Sequence, residues 1–242
     1  MNAIEIKNLT KQYKDTVAVN SLSLDIKEGE LFALLGINGA GKTTTIKMLS
    51  CLTLPSSGDA TLLGKSIISS PAEVKSTLGI SPQETAVAMG LTVRENLALL
   101  CGIHGYSKEK TSEKIGEFAT ALSLTEVLDK RASKLSGGYQ RRLSIAMALI
   151  GEPKILFLDE PTLGLDVIAR SELWDIIRAL KGRMTVILTT HYMEEAEALS
   201  DRIGIMKSGE LIALGTADEL KALAGKENFE DAFIALVKEA KK

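Results

Sequence analysis

The run Gly36-Ile37-Asn38-Gly39-Ala40-Gly41-Lys42-Thr43 fits G-x-x-x-x-G-K-[ST], a spacing suited to holding a polyphosphate. Its glycines lack the Cβ that would block close approach, so the backbone can curl and aim consecutive N–H groups at an anion. A helix opening at Lys42, Thr43 and Thr44 adds its positive end. Lys42 supplies a cation for the β- and γ-phosphates, and the Thr43 hydroxyl is placed to ligate Mg²⁺. An apolar strand pattern precedes the loop, and Ile46, Leu49 and Leu52 predict a helix after it, the context the pattern requires. Many kinases and GTPases share such a loop, so it points to nucleotide binding without choosing a family.

A second apolar run, Ile155-Leu156-Phe157-Leu158, ends in Asp159-Glu160. If its strand lies parallel to the first, both carboxylates arrive beside the phosphate loop. Asp159 suits a Mg²⁺-bound water, and Glu160, on the opposite side of the strand, can take a proton from an attacking water. The plainer alternative is that the pair caps the turn before Pro161-Thr162; the phosphate loop upstream favours chemistry. His191 closes Leu188-Thr189-Thr190 at the same edge, within reach of a γ-phosphate, though a lone histidine is commonly a surface or capping residue. Gln83, after Ser81-Pro82, could offer its amide oxygen to Mg²⁺ or to the water.

A second anion grip is written in Leu135-Ser136-Gly137-Gly138-Tyr139-Gln140-Arg141-Arg142-Leu143, where Ser136 is an N-cap candidate and two glycines bare a positive helix end. An ordinary Ser-Gly-Gly helix start would look the same. Together with Tyr13 and Leu163-Gly164-Leu165-Asp166, however, these motifs resemble, in order and spacing, those of ATP-binding-cassette transporter ATPase subunits. The likeness runs from about Ile4 to Gly225, and the Ser-Gly-Gly signature is specific to that family. The resemblance implies that Tyr13 stacks on adenine, Gln83 heads a loop sensing Mg²⁺ and the permease, and Ser136, Gly137, Gly138 and Gln140 close over ATP bound to the opposite subunit. It also implies that Asp166 ends a loop communicating across the dimer. Leu163 stands where serine is commoner and Tyr139 where glutamine is frequent; neither change removes a catalytic group.

The elements that must position these residues follow from periodicity. Ile4-Glu5-Ile6 and the alternation from Val17 to Ile26, closed at Gly29, predict an N-terminal antiparallel β layer. Leu31 to Leu35, Ile155 to Leu158 and Val186 to Leu188 are continuous apolar runs, the mark of parallel strands covered on both faces. From about Leu91 to Ile150 the pattern is helical, with a capping box at Thr92-Val93-Arg94-Glu95, and predicts an insertion between two halves of the sheet. Arg202 to Met206 and Glu210 to Ala213 read as a hairpin returning to the β layer, before a helix capped at Thr216. The expected class is α/β: a phosphate-loop NTPase core with a mostly parallel sheet, an antiparallel layer and a helical subdomain. Residues 1–225 would form the ATPase domain, with 91–150 inserted, and 226–242 a short helical tail carrying Phe229, Phe233, Leu236 and Val237.

Composition narrows the partners. A net charge of −2 over 242 residues gives no basic field for tracking nucleic acid, and no nucleic-acid partner is expected. Cys51 and Cys101 lie far apart without metal-ligand spacing, which suits a reducing compartment. No window reaches the roughly 18 apolar residues of a membrane span, so any membrane role must run through another protein. The resemblance names it: an integral permease, above a head-to-tail pair formed with a second copy or a homologous ATPase subunit, at the cytoplasmic face. Leu91 to Leu97, Pro161 to Asp166 and the tail Phe229 to Phe233 resemble exporter-type subunits that drive drug, lipid, polysaccharide or ion efflux. The competing reading is a soluble cassette ATPase that remodels nucleic-acid or ribosomal complexes; this chain shows neither the coiled-coil insertion nor the second cassette usual there. A small-molecule kinase is opposed by the signature and by Glu160.

Overall fold

Ile4, Ile6 and Leu9 are buried along β1 (Asn2–Tyr13), as are Val19, Leu22, Leu24 and Ile26 along β2 (Thr16–Lys27), and the strands pair antiparallel. The odd step from Ile6 to Leu9 is absorbed by a bulge in which Asn8 turns left-handed at φ 50°, so Leu9 stays on the apolar face. β4 (Ser57–Leu62) and β5 (Lys65–Ser66) complete a four-stranded sheet, ordered β2-β1-β4-β5. The computed structural model describes residues 1–240; Lys241 and Lys242, the end of the expected tail, lie outside the described residues.

The second sheet holds β3 (Leu31–Leu35), β6 (Leu78–Ser81), β7 (Ile155–Asp159), β8 (Thr185–Thr190), β9 (Arg202–Lys207) and β10 (Glu210–Gly215), in the order β10-β9-β3-β8-β7-β6. All neighbours are parallel except β9 and β10. Phe32, Leu34, Phe157 and Ile187 share a core with α1 (Lys42–Leu49) and the antiparallel sheet. Leu156, Leu158, Val186 and Leu188 face the other way, onto α5 (Gly137–Leu149) and α6 (Val167–Leu180). Each strand of the apolar runs is thus covered on both faces, which explains why they lack alternation. The C-terminal ends of β3, β8, β7 and β6 come out side by side, and that edge carries the motifs.

Between the strands lie α2 (Pro71–Lys75), then α3 (Val93–Ile103) and α4 (Lys108–Ala121). Both halves of the Thr92–Glu95 capping box form. α7 (Met193–Leu199), α8 (Ala217–Ala224) and α9 (Phe229–Glu239) follow; Phe229, Phe233 and Leu236 of α9 pack with Leu35 and Ile205 of the sheet.

Two expectations need correcting. The hairpin of β9 and β10 joins the parallel sheet beside β3 instead of the antiparallel layer, because the apolar Ile203 and Ile205 fit that core. α1 ends at Leu49: Cys51 turns left-handed at φ 56° and Leu52 is left exposed. Two strands gave no sequence signal. β4 is polar and glycine-bearing, and β6 has four residues including Gly79, where a Cβ would lie 2.3 Å from the Ala148 carbonyl oxygen on α5.

Candidate nucleotide site

The loop from Gly36 to Thr43 leaves β3 and curls over the start of α1. Gly41 is the N-cap, left-handed at φ 103°, and a Cβ there would sit 2.5 Å from the Ala18 carbonyl oxygen, so only glycine fits. No side chain caps this helix end, which leaves its first N–H groups for an anion. Gly39, at φ 81°, faces open space among the described residues.

Lys42 is buried and folded back on its own loop. Its Nζ donates to the Gly36 carbonyl at 2.7 Å and lies 3.2 Å from Glu160 Oε1. The other Glu160 oxygen, Oε2, is 2.6 Å from His191 Nδ1. Lys42 at the start of α1 and His191 just past β8 therefore grip one carboxylate. Glu160 reaches them from a left-handed backbone, φ 49°, a conformation that costs a non-glycine residue roughly 1 kcal/mol or more. That backbone is held: its N–H donates to the Thr189 carbonyl and hydroxyl, at 3.1 and 3.0 Å. Asp159 Oδ1 accepts from the Thr43 hydroxyl at 3.2 Å and from the Thr189 hydroxyl at 2.5 Å.

Lys42, Thr43, Glu160 and His191 open into a cavity of about 660 Å³, lined also by Tyr13, Val17, Asn38, Ala40, Thr44, Gln83, Leu163 and Ser208. Its size suits a nucleotide. A groove of about 790 Å³ at the opposite ends of the strands, beside Lys154 and Thr185, is lined by none of the motif residues. Tyr13 is 45% exposed, with Lys11 Nζ 4.9 Å from its ring centroid. The Thr43 hydroxyl and Asp159 carboxylate form a pair of hard oxygen donors that fits Mg²⁺, which keeps most of its positions for water and phosphate.

The signature stands apart. Ser136 caps α5, accepting from the Tyr139 N–H, and none of Ser136, Gly137, Gly138 or Gln140 lines this cavity. The Gln140 amide instead donates to the Ala132 and Leu135 carbonyls at 3.1 and 3.3 Å. Asp166 caps α6, accepting from the Ala169 N–H at 2.9 Å. Sequence reading overlooked Thr189, whose hydroxyl serves both carboxylate residues, and the buried Arg141 and Glu195. A threonine preceding Thr190-His191 carries no motif signal; a charged residue within an apolar helix pattern does, because burying it requires partners.

A family model described as ABC transporter matches residues 19–163. The chain is 42% identical over 224 residues to the daunorubicin/doxorubicin resistance ATP-binding protein DrrA of Streptomyces peucetius, covering 92% of this chain and 68% of that one. The chain belongs to the ABC transporter family. Within it, a probable multidrug ABC transporter ATP-binding protein of Escherichia coli is 41% identical over 97% of this chain and 41% of its own length. A human phospholipid-transporting ATPase is 42% identical over 92% of this chain, which spans 13% of that protein. Among solved structures, an ATP binding subunit of an ABC transporter superposes with a TM-score of 0.85 at 26% identity, covering 97% of this chain and 99% of the other. A dimeric ATP-binding cassette in a post-hydrolysis state, bound to ADP and Pi, gives 0.80 at 28% identity over 88% and 98%. The chain is an ABC ATPase subunit, with the α/β fold expected of one. No described helix is long and apolar enough to cross a membrane.

Proposed function

We propose that this ABC subunit powers efflux through a separate membrane permease, working at the cytoplasmic face as a head-to-tail pair with a second copy or a close homologue. In this reading residues 1–225, with 91–150 as a helical subdomain, are the motor and 226–242 a tail. The drug- and lipid-directed names of the relatives favour export of an amphiphile, which would meet the permease and not this chain. The loop from Gln83 to Gly90, with Met89 exposed, and α3, with Leu99 and Ile103 exposed, offer the permease apolar side chains.

The observation that carries the proposal is the convergence of Lys42, His191 and Glu160. Lys42 leaves Glu160 and the Gly36 carbonyl to meet the β- and γ-phosphates. Glu160, relieved of that charge, accepts a proton from the water that attacks the γ-phosphorus, while His191 steadies the carboxylate and the γ-phosphate. Tyr13 stacks on the adenine. Thr43, Asp159 and Gln83 would hold Mg²⁺, which when bound neutralises charge on the phosphate oxygens. The separation of Ser136-Gly137-Gly138 from the cavity of the same chain supports a site shared between two chains.

The test is mixing. Lys42→Ala and Ser136→Arg proteins should each be inactive, and their mixture should recover ATPase activity, because the heterodimer holds one intact loop facing one intact signature. Glu160→Gln protein should sediment as a monomer alone and as a dimer with Mg-ATP. A Glu160→Gln species that stays monomeric with ATP bound, beside a wild type whose specific activity is independent of concentration, removes the shared-site mechanism.

A further inference from the structure

Arg141 lies on α5, one turn behind Ser136-Gly137-Gly138, and is 4% exposed. Among the described residues its hydrogen bonds run to backbone and not to carboxylates. One terminal nitrogen donates to the Pro82 carbonyl at 2.6 Å; the other donates to the Gln83 carbonyl at 2.8 Å and the Glu160 carbonyl at 3.3 Å. Burial pulls the guanidinium's pKa down, and the negative field of Asp159, Glu195 and Glu160 opposes that. The fork thus joins three pieces of chain: the signature helix, the loop headed by Gln83, and the peptide that follows the catalytic carboxylate.

That last peptide needs holding. Glu160 is left-handed, and its N–H is fixed by Thr189. Its carbonyl is shared by the Leu163 N–H at 3.2 Å and Arg141. A planar cation with several donors can hold three carbonyl oxygens in one mutual geometry, which a flexible ammonium cannot. We propose that Arg141 is a positioning residue for hydrolysis, locking the Glu160 backbone and the Gln83 loop to the signature helix so that the base is aimed only while that helix is in place. The proposal rests on the reading of Glu160 as the base. Nothing in it involves nucleotide contact, so Arg141 should act on turnover and leave affinity alone.

The experiment compares wild type, Arg141→Met, Arg141→Lys and Glu160→Gln as full-length protein, each assayed well below its own melting temperature. Arg141→Met should lose about 100-fold in kcat, the scale set by an ångström of misplacement at a reacting group. Its KM and its Kd for a non-hydrolysable ATP analogue should stay within about threefold of wild type, and Arg141→Lys should fall between the two in kcat. A residue that only supports the fold would lower the melting temperature without this split or this order. A kcat for Arg141→Met within about threefold of wild type, or a loss of affinity in proportion to kcat, overturns the proposal. If Arg141→Met does not fold, Arg141→Lys decides: a fall of about tenfold in kcat with affinity kept supports it, and wild-type kcat overturns it. Glu160→Gln separates the two levels. If it is inactive while Arg141→Met turns over normally, Arg141 alone loses its role; if it turns over normally, the assignment of the base fails and the proposal with it.

Discussion

Replacing Glu160 by glutamine keeps the side chain's size and its left-handed backbone but removes one buried negative charge 3.2 Å from Lys42 Nζ. At an effective dielectric of 20 that pair is worth about 5 kcal/mol before desolvation. Desolvating two nearly buried ions offsets most of this, leaving a net attraction of about 1–2 kcal/mol. On the proposed reading of the site, ATP breaks this pair to engage Lys42. Glu160→Gln should therefore bind a non-hydrolysable ATP analogue roughly 5- to 30-fold tighter than wild type. Loss of the base should at the same time cut kcat by about 10²-fold or more. The nucleotide-free variant should melt lower than wild type, since Lys42 has lost its buried counter-ion, and added nucleotide should restore it. Fluorescence titration, steady-state ATPase assays and thermal melts read the three effects. Affinity equal to or below wild type, together with turnover within about tenfold, would refute both the base and the idea that Glu160 restrains Lys42 in the empty site.

Gly41→Ala should cost about 1–3 kcal/mol in urea unfolding and abolish nucleotide binding, because a Cβ at φ 103° collides with the Ala18 carbonyl 2.5 Å away; near-normal stability would contradict the loop geometry. Burial pushes the Glu195 carboxyl above its ordinary 4.5, with Trp174 Nε1 donating to one oxygen at 3.1 Å and the other oxygen lacking a hydrogen-bond partner among the described residues. The unfolded chain ionises this group first as pH rises, so its neutral form stabilises the fold below about pH 4.5 and that contribution is lost as pH climbs through the raised folded pKa. Glu195→Gln should accordingly gain melting temperature relative to wild type between pH 5 and pH 8, and a difference that does not change with pH would count against the buried-acid reading. Cysteines at exposed Ala86 or Met89 should crosslink to the permease in membranes, whereas crosslinks confined to Ser208 would move the interface to the β9–β10 turn.

Local chemistry was legible without coordinates wherever a short stretch of backbone does the work. The glycines of the phosphate loop, the Ser136 cap, and the Thr92 and Thr216 capping boxes each depend on residues within about four positions of one another, so spacing alone reveals them. The all-apolar runs likewise announced strands buried on both faces, because a strand with one wet face must alternate. What spacing could not decide is which distant pieces meet. That the β9–β10 hairpin pairs with β3, that the four-residue β6 exists at all, and that Gln83 belongs to the edge where β3, β7 and β8 end are set by which apolar faces fill which core. The pairing of Glu160 with Lys42 and His191, and the grip of Arg141 on carbonyls 59, 58 and 19 positions away, are contacts of that kind. They exist only once the sheet has brought four strand ends together, since hydrogen bonds and ion pairs act over a few ångströms and their partners are chosen by packing, not by order along the chain.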